Sequence, residues 1–259
     1  MTQAPVISFQ NAAKSYGGGR PALDRVSLDI PERAFVAVVG PSGSGKTTLL
    51  RLVNRLTDPS DGVVRVEGED VGTADAVALR RRIGYVFQGI GLFPHMTVGE
   101  NIGVTPRLLG WDAARIAARV TELLGLVRLD AAAYRDRFPH QLSGGERQRV
   151  GVARALAAGP RIVLMDEPFG ALDPLTRDAL GRDYRQLHAE LGLTTVMITH
   201  DVVEAALLAD RIVVMAEGRL IADGTPHELM RQAGDGYALE LMQTPRRQAE
   251  RLQALLGPA

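Results

Sequence analysis

The run Gly40-Pro41-Ser42-Gly43-Ser44-Gly45-Lys46-Thr47 constrains this chain more than any other stretch, because few folds can use it. It follows a continuous apolar segment, Phe35 to Val39, and precedes a helical pattern, Thr47 to Arg55. A strand ending in a glycine-rich turn that opens a helix turns successive backbone N–H groups toward one point. The helix adds the positive end of its dipole, a lysine there neutralises terminal phosphate oxygens, and a following hydroxyl can ligate a divalent cation. The chain has 28 glycines and only two lysines, Lys14 and Lys46, so a chance match to G-x-x-x-x-G-K-[ST] is expected roughly 0.002 times. The other 28 of its 30 basic residues are arginines, whose broad fork would not enter such a nest.

A loop that holds phosphates needs a metal anchor and a group that acts on water. Ile162-Val163-Leu164-Met165-Asp166-Glu167 reads as a buried strand ending in two carboxylates. Asp166 is expected to hold the Mg²⁺ shell, with Thr47, and Glu167 to orient or deprotonate the attacking water. Leu142-Ser143-Gly144-Gly145-Glu146 opens another helix, and it reads either as an N-cap with a tight turn or as a second anion-binding helix terminus, with the Ser143 hydroxyl and the N–H groups of Gly144 and Gly145 aimed at a γ-phosphate.

Composition excludes several alternatives. The 46% hydrophobic and 23% charged content is that of an ordinary globular chain, and a net charge of +0 gives no ground for nucleic-acid binding. The 259 residues contain no cysteine, so neither a disulfide framework nor a thiol nucleophile is available. The start, Met1 to Gln10, lacks the pattern of a signal peptide, and no apolar run approaches the ~20 residues that span a bilayer.

Periodicity predicts strands at Val6–Phe9, Val26–Ile30, Phe35–Val39, Gly62–Glu67, Ile83–Phe87, Ile162–Met165, Thr195–Ile198, Ile212–Met215 and Leu220–Ala222. Helical spacing runs from about Val98 to Leu129, and further helices are expected at Gly144–Ala157, Leu175–Leu191 and Val202–Leu208. Residues 90–145 are therefore read as a mostly helical insertion in an α/β core, with residues 1–233 as one domain. Residues 234–259 are read as a helical extension lying on the domain surface, with a regulatory or dimer-contact role as the alternative.

In order and spacing these motifs resemble the ATP-binding subunits of ABC transporters, over about residues 6–230. The resemblance implies an ABC-type P-loop NTPase fold with an antiparallel β subdomain and an inserted α-helical subdomain. It implies that Tyr16 stacks on adenine, that Gly40 to Thr47 with Thr48 bind ATP, and that Lys46 acts in catalysis. Gln88 would touch Mg²⁺ and the attacking water, and His200 would contact the γ-phosphate. Asp173, in Ala171-Leu172-Asp173, would carry communication between subunits. Alone, a tyrosine or histidine is more often a packing residue. Two departures are visible, Glu146 where glutamine is commonest and Gly170 where serine is frequent, and neither removes a catalytic group.

The resemblance further implies a head-to-tail dimer in which Ser143, Gly144, Gly145 and Glu146 of one copy complete the ATP site of the other. The segment after Gln88, through Phe93-Pro94-His95-Met96-Thr97, resembles the region of importer ATPases that receives the permease. With Val104-Thr105-Pro106, Leu109-Gly110-Trp111, Tyr134 to Pro139 and Asp173 to Arg177 it points to the glycine betaine, choline and carnitine osmoprotectant uptake ATPases. The expected setting is the cytoplasmic face of the cell membrane, peripheral through permease subunits and indirectly served by an extracytoplasmic binding protein. The pair of regulatory cystathionine-synthase-type domains found in several members of that group is expected to be absent. The alternatives are an ATPase for another polar solute, a soluble non-transport ATPase of the superfamily, or an ATP sensor, the last disfavoured by Glu167 and His200.

Overall fold

A computed structural model describes residues 4–17, 19–89, 91–232 and 236–256. Ten strands, ten α-helices and one short 3-10 helix (Pro139–Gln141) are found among them. The strands are β1 (Ile7–Lys14), β2 (Leu23–Ile30), β3 (Phe35–Val39), β4 (Asp61–Val66), β5 (Glu69–Asp70), β6 (Ile83–Val86), β7 (Ile162–Asp166), β8 (Thr194–Ile198), β9 (Arg211–Ala216) and β10 (Arg219–Gly224). The helices are α1 (Lys46–Val53), α2 (Ala76–Arg82), α3 (Val98–Leu108), α4 (Ala113–Leu126), α5 (Ala131–Tyr134), α6 (Gly144–Leu156), α7 (Pro174–Leu191), α8 (Val202–Leu208), α9 (Pro226–Gln232) and α10 (Tyr237–Leu256).

The strands form two sheets. One is four-stranded, in the order β2-β1-β4-β5, and antiparallel. The other has six strands in the order β10-β9-β3-β8-β7-β6, parallel except for β10 at its edge. β3 is buried along its whole length because both faces of this sheet are covered. Phe35, Ala37 and Val39 face the core shared with the helices, whereas Val36 and Val38 face the core shared with α1 and the antiparallel sheet. Met197 of β8 and Val163 of β7 repeat the first assignment, and Val196 and Leu164 the second.

The order β3-β8-β7 matters most for function. Three adjacent parallel strands, each about 4.8 Å from the next, end on the same edge of the sheet. The glycine-rich loop, His200 and the Asp166–Glu167 pair follow them, so residues 40, 166 and 200 become neighbours at the carboxyl ends, where open α/β sheets bind ligands.

The helical segment differs from the single long pattern expected between Val98 and Leu129. α3 stops at Leu108, Gly110 turns the chain at φ 77, and Asp112 starts α4 by accepting the Arg115 N–H at 2.8 Å. Val120, Leu123 and Leu124 of α4 are buried against the helix-side core, at about 2 kcal/mol for each fully buried apolar side chain. In α10 Ala238 and Met242 are buried, but beyond Pro245 the helix stands away from the core, with Leu255 83% exposed. Ile90, 233–235 and 257–259, where the helical insertion and the extension were expected to begin and end, lie outside the described residues, as do the side chains of Leu252 and Leu256. Among the described residues no helix is long and apolar enough to cross a membrane.

Candidate functional site

The loop after β3 is shaped by close packing as much as by its own conformation. Gly45 caps α1 at φ 99, and a Cβ there would lie 2.3 Å from the Ala22 carbonyl oxygen. Lys46 is only 8% exposed, and its ammonium donates to the carbonyl oxygens of Gly40 and Pro41, each at 2.8 Å, and to Ser44 Oγ at 3.4 Å. Burial lowers its pKa, and the carboxylates of Glu167 and Asp166 oppose that shift. No acidic residue occupies the first turn of α1, so the positive end of the helix is left uncompensated.

β7 delivers two carboxylates with different surroundings. Asp166 ends the strand buried, and its Oδ1 accepts from the Thr47 hydroxyl at 3.4 Å. Burial raises its pKa, against the Thr47 hydrogen bond and the nearby Arg51 and Lys46. Glu167 turns out of the strand at φ 45, in the left-handed region that non-glycine residues seldom adopt. Its N–H donates to the Ile198 carbonyl at 3.0 Å, which anchors this turn to the neighbouring strand. Glu167 Oε2 accepts from Gln88 Nε2 at 3.1 Å and lies 3.5 Å from His200 Nδ1. One carboxylate oxygen thus joins groups that follow β6, β7 and β8.

Together these groups line a cavity of about 570 Å³ formed by Gly40, Ser42 to Thr48, Gln88, Glu167, His200 and Ala22. Pro41 contributes through its carbonyl, and Asp166 lies behind Thr47. Ala22, just before β2, was missed in the sequence because nothing about an alanine signals the approach of a loop from another sheet. The loop from Glu167 to Asp173 packs beside His200, whose Cε1 would lie 3.7 Å from a Cβ at Gly170.

Not every candidate residue meets in this cavity. Tyr16 is 62% exposed beyond the end of β1, with the Lys14 ammonium 5.2 Å from its ring centre, and it does not line the cavity. Ser143 to Glu146 stand at the start of α6, on another surface of the same chain. There Glu146 Oε2 accepts the Ser143 N–H at 2.7 Å and Ser143 Oγ accepts the Glu146 N–H at 3.3 Å, a reciprocal cap that leaves the serine hydroxyl proton free to donate. The other carboxylate oxygen accepts the Tyr134 hydroxyl at 2.5 Å, and the Arg137 guanidinium lies over the Tyr134 ring at 4.4 Å. Tyr134 and then Ser143 hold the Glu146 carboxyl below the usual range. Asp173 caps α7, accepting the Thr176 N–H at 3.0 Å.

A second cavity, of about 460 Å³, opens beside Phe87, the residue before Gln88. Its wall combines exposed aromatic residues, Phe87 at 45% and Phe93 at 41%, with Leu56 and the arginines Arg80, Arg81 and Arg154. Asn101 braces it: its amide donates to the carbonyls of Phe93, Met96 and Thr97 and its oxygen accepts the Phe93 N–H.

The family described as ABC transporter matches residues 23–170. The choline transport ATP-binding protein OpuBA of Bacillus subtilis is 47% identical over 237 residues, covering 92% of this chain and 62% of that protein. The chain therefore spans about three fifths of the length of this relative. The glycine betaine uptake system ATP-binding protein YehX of Escherichia coli is 46% identical, over 90% of this chain and 75% of its own length. The sulfate/thiosulfate import ATP-binding protein CysA of Escherichia coli is 48% identical, over 91% of this chain and 64% of that protein. Among solved structures, the dimeric post-hydrolysis state of the ATP-binding cassette MJ0796 bound to ADP and Pi superposes with a TM-score of 0.76 at 34% identity, covering 85% of this chain and 98% of that one. The fold is that of ABC ATPase cassettes, and the chain belongs to the ABC transporter family.

Proposed function

We propose that this chain binds and hydrolyses ATP to power a solute importer, and that the solute is a quaternary-amine osmoprotectant such as glycine betaine or choline. The observation that carries the ATPase reading is the convergence of Lys46, Gln88, Glu167 and His200 on one cavity at the ends of the four neighbouring strands β3, β8, β7 and β6. The loop N–H groups and the start of α1 receive the β- and γ-phosphates, and Lys46 exchanges its loop carbonyls for phosphate oxygens. Thr47, Asp166 and Gln88 supply the oxygen-only donor set that suits Mg²⁺, which when bound neutralises the charge on the phosphates. Glu167 orients a water in line with the γ-phosphorus and takes its proton as the bond to the β-phosphate oxygen breaks. Gln88 and His200 hold the same carboxylate oxygen and fix where that water sits.

The free Ser143 hydroxyl and the start of α6 lie away from this cavity in the same chain, which supports completion of the site by a second copy. ATP would then hold the closed pair together, and its hydrolysis would release it. The aromatic cavity beside Gln88 suits an apolar segment of permease subunits. The chain would work at the cytoplasmic face of the membrane, peripheral through permease subunits that receive the solute from an extracytoplasmic binding protein. Tyr16, exposed beyond the end of β1, would stack on adenine in exchange for its present contact with the Lys14 ammonium.

The osmoprotectant reading rests on the relatives named for choline and glycine betaine together with the Phe93 to Thr97 segment. The 48% identity to a sulfate/thiosulfate import protein favours a second reading, import of another polar solute. The two are separated by co-purification with permease and binding protein, followed by uptake into vesicles of labelled glycine betaine, choline and sulfate. Uptake of sulfate alone would refute the osmoprotectant reading. In the same system Glu167→Gln is expected to bind ATP but turn it over at least a hundredfold more slowly. Undiminished turnover would refute the role given to Glu167.

A further inference from the structure

Arg177 lies in the first turn of α7, four residues after Asp173, and its guanidinium reaches out of the helix in two directions. One nitrogen donates to the Leu172 carbonyl at 3.1 Å, and the other terminal nitrogen to Asp201 Oδ2 at 3.2 Å. Leu172 belongs to the loop that begins at Glu167, and Asp201 directly follows His200. The same two segments meet again at their other ends, where His200 Nδ1 lies 3.5 Å from Glu167 Oε2. Glu167, the loop to Leu172, Arg177, Asp201 and His200 therefore form a closed ring.

Asp201 is held firmly within it. Its Oδ1 accepts the N–H groups of Val203 and Glu204 at 2.9 and 3.1 Å, and its own N–H donates to Thr199 Oγ1 at 3.0 Å. The Arg177 Nε, by contrast, is buried without a hydrogen-bond partner. An unpaired buried donor is costly, so the position of the fork is dictated by its two outer contacts. A lysine could not reproduce it, since a single ammonium has no planar fork to join two separated acceptors.

We infer that Arg177 is a positioning residue which clamps the backbone of the loop before Asp173 to the residue after His200, and so sets the imidazole against Glu167. The inference rests on the hydrolytic reading of Glu167 and His200 given above. A second copy pressing on Asp173 would displace Leu172, and through Arg177 and Asp201 the histidine would follow. Assembly would then be reported to the catalytic carboxylate from within the same chain.

The test uses the full chain, with permease if turnover requires it, and compares Arg177→Met, Arg177→Lys, Asp201→Asn and the double variant R177M/D201N. Asparagine retains the helix cap through its one oxygen, while its amide nitrogen replaces the oxygen that accepts from Arg177, so Asp201→Asn removes the contact with Arg177 and keeps the cap. Expected is a fall in kcat of at least fivefold for Arg177→Met, with the ATP Kd within threefold of the parent. The double variant should lose no more than the larger single loss, because both changes break one contact. A smaller fall in kcat, a matching loss of ATP binding, or additive losses each overturn the inference. If Arg177→Met does not fold, Arg177→Lys and Asp201→Asn carry the same cycle. Glu167→Gln run in parallel separates the two levels. Full turnover there removes the hydrolytic reading itself, whereas loss there with normal Arg177→Met removes only the clamp.

Discussion

Two glycines of the phosphate loop share a left-handed backbone but stand in different surroundings, and the contrast predicts unequal effects of the same methyl group. At Gly43, φ is 78 and an added Cβ would meet nothing within 4 Å. The cost of Gly43→Ala is then only that of the left-handed conformation, about 1–2 kcal/mol, or roughly five- to thirtyfold if all of it appears in ATP binding. At Gly45, φ is 99 and the added Cβ would lie 2.3 Å from the Ala22 carbonyl oxygen and 2.9 Å from Leu23 Cδ2. Carbon–oxygen contacts settle near about 3.3 Å, so the start of α1 must move by about 1 Å against the chain entering β2. A displacement of that size at a reacting centre costs on the order of a hundredfold in turnover, and by moving the loop N–H groups off the phosphates it should weaken ATP binding beyond the conformational term alone. Calorimetric titration of Mg-ATP into each purified variant measures the difference, with thermal melting to establish that both are folded. Gly45→Ala binding ATP as tightly as Gly43→Ala would show that packing against Ala22 does not shape the loop.

Three further outcomes are expected. Tyr134→Phe frees one oxygen of the ionised Glu146 beside the start of α6, so ATP-driven pairing of the Glu167→Gln protein should weaken several-fold in sedimentation. In a Glu146→Gln background the Tyr134 change should have no effect, and an undiminished effect would assign Tyr134 a purely structural role. Thr195→Val strands both the buried Tyr184 hydroxyl at 2.8 Å and His188 Nδ1 at 3.0 Å, at about 1–3 kcal/mol each, whereas Tyr184→Phe leaves the histidine contact intact. Denaturant melts should rank Thr195→Val as the more damaging change, and the opposite ranking would refute this account. His188 is buried, with its pKa lowered first by desolvation and then by Arg185, against Asp210 and the Arg33 backbone. The folded protein therefore binds fewer protons there than the unfolded chain. Stability from the neutral imidazole is complete above about pH 6.5 and declines as pH falls through the lowered folded value. His188→Gln should flatten the decline between about pH 6.5 and 5 in melts followed across pH, and an unchanged slope would count against it.

The parts of this molecule written plainly in its sequence are those that obey a local rule. β3 and β7 are buried on both faces, so Phe35 to Val39 and Ile162 to Met165 read as unbroken apolar runs, and the loop and the two acids at their ends could be placed at once. α2 was missed because Ala76 to Arg82 buries only Leu79 and carries three arginines in its last turn, which leaves no apolar stripe to detect. β5, with two residues, is too short to show alternation. The break between α3 and α4 was signalled by Gly110 and Asp112, but the apolar spacing on either side outweighed them. Strand order lies beyond any local rule. That β8 lies between β3 and β7, and so brings both the loop and Glu167 to His200, depends on pairing β8 with β3, more than a hundred residues earlier in the chain, as well as on the short crossover from β7 to β8. Tyr134 on Glu146 and Arg177 on Asp201 are likewise unmarked, because nothing in the stretches that hold these residues names the partner.

The internal hydrogen bonds of Lys46 also bear on how tightly the loop can grip anything. With the ammonium already shared among Gly40, Pro41 and Ser44, an arriving phosphate does not fill a vacancy; it takes the place of neighbours that are ready to return. The free energy of capture is then a difference between two satisfied arrangements rather than the whole strength of a new one. A latch built in this way closes without locking, and on the proposed ATPase reading the spent nucleotide, with fewer charges to hold the lysine away, would let the spring relax. If the stroke repeats as proposed, ease of release is built into the loop itself.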